Sequence, residues 1–243
     1  MKNLLLLLVI LTSLSVSCTN ENMEHTEILS STLPIEKSKK TAKLLQNLNP
    51  ENPANIYDIA GKIHNDILDV YLTGTYSCNT ISQVSQKVDS ISILNSDYLN
   101  LETHLPIDFQ EIQEIIDNPQ IKLEQAIANS SMTNGAKISL SNFMASMLLW
   151  ETNDYAVIHE SITTFEASVI SNTEFSTEDK RIILTTSSIA RYSSYYAIER
   201  KDKDWDTSVG NRVGALQGAL ANSSSAVNKS IVTGLLIQNL QTD

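Results

Sequence analysis

The apolar residues of this chain follow two patterns. Leu4 to Leu11 is an unbroken apolar run, whereas from Lys37 onward apolar residues recur every three or four positions. That second period belongs to helices with one buried face. Lys37 to Leu48 predicts a first helix, stopped by Asn49-Pro50-Glu51-Asn52-Pro53. A second is expected from near Asn55, which would cap it, with Asp58 in the first turn. Its stripe is Ile56, Ile59, Ala60, Ile63, Ile67, Val70 and Tyr71, and Gly74 ends it. Thr80 to Leu94 repeats the pattern through Ile81, Val84, Val88, Ile91 and Leu94. Asp108 and Glu111 form an aspartate version of the capping box. They open a helix that stops at Asn118-Pro119, Gln120 to Asn129 continues as another, and Asn134-Gly135 reads as a turn.

The centre is more apolar. Ile138 to Trp150 and Asp154 to Ile170 read as helices joined by a tight turn. Ser176 caps a long helix, with Glu178 and Asp179 in its first turn, that runs to about Arg200. Ile182, Ile183, Ile189, Ala190, Tyr196 and Ala197 lie all around it, mixed with serines, which predicts a central position in a bundle. Lys201 to Asp206 is a charged break. Beyond it Gly210, Gly214 and Gly218 are spaced by four, and Asn222, Ala226, Ser230 and Gly234 continue the series. Small residues at that spacing let two helices approach closely. Each step rotates about 40° on an ideal helix, so one row serves one face for only a few steps. A break at Ser223-Ser224-Ser225 into two helices is therefore expected. Each glycine costs roughly 1 kcal/mol against alanine within a helix, so three together imply a compensating contact. Gly210, Gly214 and Gly218 are accordingly the candidate helix-packing or association face. These elements predict an all-α fold, an irregular bundle of about seven to nine helices.

The apolar run at the start is of another kind. Met1-Lys2-Asn3 places one positive charge before Leu4–Leu11, and a small, polar stretch leads to Cys18. That layout is a secretory signal, with a core too short to span a bilayer. Two cleavages fit the same bond. Val16-Ser17-Cys18 fits a bacterial lipoprotein site except that Ser15 stands where leucine is usual, and Ser15-x-Ser17 also satisfies ordinary signal peptidase. Lipidation of Cys18 by fatty acyl chains such as palmitate is the favoured reading. It leaves Cys78 as a lone thiol, whereas a free Cys18 would permit a Cys18–Cys78 disulfide in an oxidising compartment. The organisation is then a signal peptide over 1–17, a polar, acidic, disordered tether over 18–34 and a helical domain over 35–243, its C-terminal hairpin at 208–240. The tether would reach roughly 50 Å when extended and on the order of 20 Å as a coil. No aspartate follows Cys18 directly, so an outer-membrane lipoprotein, periplasmic or surface-facing, is expected ahead of a secreted soluble protein.

Charge narrows the partners. Lys and Arg number 17 against 28 Asp and Glu, a net charge of −11, and no arginine precedes Arg181. A nucleic-acid binder needs a basic footprint. Here the one basic cluster is Lys37, Lys39, Lys40 and Lys43, a solvated helix face or headgroup contact, so no nucleic-acid partner is expected.

Candidate chemistry is thin. His159-Glu160 resembles the start of a zinc-protease HExxH helix, but Thr163 stands where the second histidine is required, so no metal site closes. Asp58, Lys62 and Asp66 form an i, i+4 ladder, and Asp66 shares a face with Asp69. Carboxylates so placed suit hydrolysis, but a solvated face is favoured, with His64 and Asn65 as buried hydrogen-bonding groups. No nucleophile signature is present, and Cys78 has no basic neighbour in sequence to activate it. Arg191-Tyr192-Ser193-Ser194-Tyr195-Tyr196 reads as aromatic packing with a cation–π contact, or else as the lining of a ligand groove. No catalytic residue, metal ligand or cofactor is assigned.

The segment from Asn52 to Asp69 has the form NP-x-N-x-YD-x-x-G-x-x-HN-x-x-LD. With Arg191-Tyr192-Ser193 and the glycines Gly210 to Gly218, it resembles a group of uncharacterised bacterial outer-membrane lipoproteins with a glycine-rich C-terminal helical hairpin. The resemblance covers about a quarter of the chain. It implies a lipid-anchored, all-helical protein and supplies no catalytic residue. In that group the glycine-rich tail is similar to bacteriocin-like segments. The leading expectation is a non-enzymatic envelope lipoprotein that binds a protein partner or self-associates as a homo-oligomer, held to the membrane by its lipid. A membrane-active role for the C-terminal GxxxGxxxG segment stands second. A hydrolase joining Asp66 or Asp69 to His159 or Glu160 stands third.

Overall fold

The computed structural model describes residues 49–103, 105–150, 153–199 and 209–242. The signal, Cys18, the tether, the helix expected at Lys37–Leu48 and the charged break at Lys201–Asp206 lie outside the described residues.

The described chain is all-helical, with ten helices packed as an irregular bundle. They are α1 (Ile59–Thr73), α2 (Ile81–Ser92), α3 (Ser96–Leu99), α4 (Phe109–Asp117), α5 (Pro119–Asn129), α6 (Asn134–Trp150), α7 (Tyr155–Ser171), α8 (Thr177–Glu199), α9 (Val209–Ala219) and α10 (Ser223–Thr242). Local chemistry sets most boundaries. The Thr80 hydroxyl accepts from the Gln83 amide at 3.3 Å to start α2, and Pro119 occupies the first turn of α5, where its missing N–H has no consequence. Ser176 and Asp179 cap α8 reciprocally. The Asp179 amide donates to Ser176 Oγ at 3.0 Å and the Ser176 amide to Asp179 Oδ2 at 2.9 Å. Asp108 caps α4 through the Gln110 and Glu111 amides. The Glu111 carboxylate, however, is engaged by Lys229 and Gln217.

Helix α8 is the axis of the bundle. Ile182 through Ser194 is buried without interruption, because α1, α7, α9 and α10 all pack on it. Two of its hydroxyls bond in different ways: Thr186 donates to the Ile182 carbonyl at 2.8 Å and Ser187 to Glu166 at 2.8 Å. Helices α9 and α10 form the closest pair. A Cβ on Gly214 would meet Thr233 Oγ1 and come within 2.6 Å of the Lys229 carbonyl oxygen, and one on Gly218 would overlap backbone atoms of Ser225 and Ala226. Gly210 is also buried. The missing side chains of Gly214 and Gly218 thus let α9 and α10 of the same chain touch backbone to backbone.

Three local expectations differ. Helix α1 begins at Ile59, not at Asn55. Asn55 Oδ1 accepts from the Tyr57 amide at 2.9 Å to shape a turn, while its Nδ2 is drawn to Glu166 and the Leu184 carbonyl. Asn134-Gly135 opens α6, and Thr133 rather than Asn134 sits at its edge, fixed by two bonds to Asp179. The short α3 has no apolar period to announce it. Asn95 caps it by accepting from the Tyr98 amide at 2.9 Å. The expected stripe on α1 also shifts. Ile56, Ile59 and Val70 are exposed, whereas Gly61, His64, Asn65 and Leu68 are buried with Ile63 and Ile67. The helix lies against both α8 and α10, so its buried face is wider and rotated from the one the aliphatic residues mark.

Candidate functional site

Among the described residues a dense buried polar cluster lies where α7, α8 and the turn before α1 meet. Arg191 and Glu166 are fully buried. Arg191 Nη2 donates to Asp58 Oδ1 and, at 3.3 Å, to Glu166 Oε1. Glu166 also accepts from Asn52 Nδ2 at 2.6 Å, Asn55 Nδ2 at 3.0 Å and Ser187 Oγ at 2.8 Å. Asp58 accepts from the Asn52 amide at 3.1 Å, the Tyr192 hydroxyl at 3.3 Å and Ser188 Oγ at 3.3 Å. The turn from Asn52 to Asp58 is thereby strapped to two helices more than a hundred residues away.

The helix spacing explains the convergence. Ser187, Ser188, Arg191 and Tyr192 are successive positions on one side of α8. Gly61, on the first turns of α1, is required for that side to approach. A Cβ there would overlap Tyr192 and Ser188, and its amide donates to Ser188 Oγ at 3.2 Å. Burial disfavours the Arg191 cation, but Glu166 and Asp58 outweigh it and hold the guanidinium above its ordinary value. Burial, with Asp58 beside it, raises the Tyr192 phenol. His159 lies near the same cluster. Its imidazole is pushed down by burial and by Arg191, against an opposing pull from the Glu51 backbone and the two carboxylates. Among the described residues Arg191 Nε and Nη1 and His159 Nε2 have no hydrogen-bond partner.

The remaining candidates are dispersed. Lys62 bridges Asp66 at 2.8 Å and Asp97 at 3.1 Å, so the expected ladder loses Asp58 to Arg191 and gains α3. Asp69 accepts from the Tyr196 hydroxyl at 2.9 Å. His64 is buried, and its Nδ1–H donates to Asn65 Oδ1 at 3.0 Å while Asn65 Nδ2 donates to the Tyr192 carbonyl at 2.8 Å. Burial pushes the His64 imidazole down to about 4. Thr163 Oγ1 donates back to the His159 carbonyl at 2.8 Å, as an ordinary helix hydroxyl does. Arg191 stands over the Tyr192 ring at 5.5 Å, and Tyr195 meets Tyr155 edge to face at 5.1 Å. Cys78 is a half-buried free thiol. No cluster of His, Cys, Asp or Glu among the described residues is arranged to hold a metal ion, and no described helix is long and apolar enough to cross a membrane.

No protein-family model, curated protein or solved structure matches this chain. The reading of the site therefore rests on its own geometry. Glu166 is the member of the cluster that sequence reasoning overlooked. It falls four residues after Ile162 and eight after Ile158, on the apolar stripe of α7, where a lone carboxylate signals a buried partner. Asn52 and Gly61 were visible only as part of a motif, whereas Asn55 reads as a helix cap and Asp58 as the head of a lysine ladder. The structure brings them to Arg191 and Tyr192 as one strap.

Proposed function

We propose that this protein is a lipid-anchored envelope protein whose helical body serves as a non-enzymatic binding module on an N-terminal tether. The observation that carries the reading is the strap at Asn52–Asp58. It stands near the start of the described residues, and it is held to the core by Arg191 and Glu166 in addition to its own turn hydrogen bonds. A domain loaded from its N-terminal side gains from bonds that lock that side to the core. The segment that resembles the outer-membrane lipoproteins supplies these same residues, which supports a shared architecture with that group. The carboxylates weighed for hydrolysis serve as ion-pair and hydrogen-bond partners in three separate places: Asp58 at Arg191, Asp66 at Lys62 and Asp69 at Tyr196.

A membrane-active role for the C-terminal hairpin has less support. Val213 to Leu216 and Ala226 to Val232 form part of the core, apart from half-buried Lys229, so exposing that hairpin would cost much of the fold.

Intact mass and membrane fractionation of the native protein beside Cys18→Ser test the proposal. The wild type should carry acyl mass and sediment with membranes, and the variant should do neither. A cleaved wild type without acyl mass that remains in the soluble fraction would defeat it.

A further inference from the structure

The strap at Asn52–Asp58 closes chiefly on two carboxylates. Glu166 Oε2 accepts from Asn52 Nδ2, and its Oε1 accepts from Asn55, Ser187 and Arg191. Asp58 Oδ1 accepts from Ser188 and Arg191, and its Oδ2 from the Asn52 amide and the Tyr192 hydroxyl. Every carboxylate oxygen here therefore already serves a bond that fixes the strap or the helices beneath it. A further donor turned toward either carboxylate competes with those bonds.

One titratable side chain stands against this cluster without a bond to either carboxylate. His159 shares a side of α7 with Tyr155 and Glu166, and its ring lies 5.7 Å from that of Tyr155. The groups that face it are Arg191 from α8, Tyr155 and Glu166 from its own helix, and Asp58 and the Glu51 backbone from the side of the strap. Its Nε2 is buried and has no hydrogen-bond partner among the described residues. A neutral ring can leave Nε2 as a bare lone pair, but an imidazolium donates from both nitrogens. The second proton would then be a buried donor without an acceptor, which is costly. Arg191 offers no relief, since its own Nε and Nη1 are donors without partners. The charged ring can be satisfied by water, which requires the strap to lift, or by Glu166 or Asp58, which the strap itself uses. Both routes loosen the strap.

We propose that the Asn52–Asp58 strap is an acid-released latch, with His159 as the group whose protonation opens it. Burial and the neighbouring Arg191 hold the imidazole below its ordinary value while the strap is closed, which is the direction the latch needs. Lifting the strap restores the ordinary value of about 6.5. Closure is therefore complete above that pH and weakens as pH falls from it toward the lower value of the closed state. The latch would regulate the binding module proposed above by freeing its N-terminal side, and it does not require lipid at Cys18.

The test is hydrogen–deuterium exchange of the full mature chain, as Cys18→Ser, between about pH 7.5 and about pH 5, corrected for intrinsic exchange. The reporting amides are those of Asn52, Asn55, Tyr57 and Asp58, each bonded within the strap. Their opening should increase about fivefold or more on acidification, below a ceiling of about thirtyfold set by an ordinary imidazole in the open strap. Amides of Ala226–Val232 in α10 should keep their protection, which shows that the body stays folded. His159→Gln should abolish the acid response of the strap, with circular dichroism and the unfolding midpoint at neutral pH establishing that it is folded. His64→Gln should leave the response in place. In the wild type, NMR of the His159 ring should give a midpoint where the rise in strap opening levels off. The proposal is overturned by equal strap opening at both ends of the pH range, by a response that survives His159→Gln, or by one that His64→Gln removes. A parallel loss of protection in α10, or a ring midpoint away from the levelling of the strap, overturns it as well. Acyl analysis at Cys18 is a separate measurement, so failure here leaves the anchoring reading untouched.

Discussion

Replacing Arg191 with methionine tests whether the strap is held by charge. Arg191 and Glu166 are both fully buried, so the substitution removes a cation and leaves a carboxylate in the interior without it. Breaking one side of a buried ion pair costs about 3–5 kcal/mol, chiefly through the uncompensated charge. Two features of the structure place this case at the lower end. Glu166 keeps three donors, from Asn52, Asn55 and Ser187, after the guanidinium is gone. Asp58 is partly accessible, its side chain 16 % exposed, and keeps Tyr192, Ser188 and the Asn52 amide. Methionine also removes Nε and Nη1, which have no partner among the described residues and whose burial is itself unfavourable. The expected loss is therefore about 3 kcal/mol, a large share of the 5–15 kcal/mol typical of a domain. Urea unfolding followed by circular dichroism measures it, with an unchanged m-value showing that only stability has moved. Glu166→Gln alone should also destabilise. The double variant should lose at least about 1 kcal/mol less than the sum of the single losses, because the two residues share one interaction. A loss below about 1 kcal/mol for Arg191→Met, or strict additivity with Glu166→Gln, would refute the ionic account of the strap.

Three further outcomes follow from the same structure. Gly218→Ala should cost about 2 kcal/mol or more in urea unfolding, because the added methyl meets the backbone of Ser225 and Ala226 rather than a yielding side chain; a neutral result would mean that the α9–α10 seam is not tight. His64 has a depressed pKa of about 4 in the folded state against 6.5 unfolded, so between those values the unfolded chain binds the extra proton. Stability is then full above pH 6.5 and declines as pH falls toward 4, by about 2 kcal/mol between pH 7 and pH 5. His64→Gln should flatten that part of the profile, and an identical profile in the variant would exclude His64 as its source. For Asp179, burial works against the charge, but hydrogen bonds from the Ser176 and Thr133 amides and hydroxyls outweigh it and hold the carboxyl below its usual range. Its contribution is present above the unfolded pKa and is lost as pH falls through the lower folded one. Asp179→Ala should therefore cost about 2 kcal/mol at neutral pH and much less at pH 2, and a loss equal at both would count against the ionised cap.

How much of this was legible in the sequence varied with the range of the interaction. Ser176 and Asp179, Thr80 and Asp108 marked helix starts that the structure has, because a cap involves atoms within three residues of one another. Continuous burial of Ile182 to Ser194 was likewise announced by apolar residues on every side of α8. Asn55 misled for the opposite reason. It has the chemistry of a cap, but its amide is taken by Glu166 and by the carbonyl of Leu184, and the helix starts four residues later. Asp58 looked like the head of a solvated ladder, yet it pairs with an arginine 133 residues away.

The amino-acid sequence alone determined the helical class, the axis of the bundle and most helix ends. Each depends on local periodicity or on side chains meeting their own backbone. Only the tertiary structure decided which polar residues would be spokes of the strap and which side of α1 would be buried. Those features arise where helices far apart in the chain come together. A carboxylate in water and one facing a buried guanidinium are the same letter in sequence, and only packing distinguishes them.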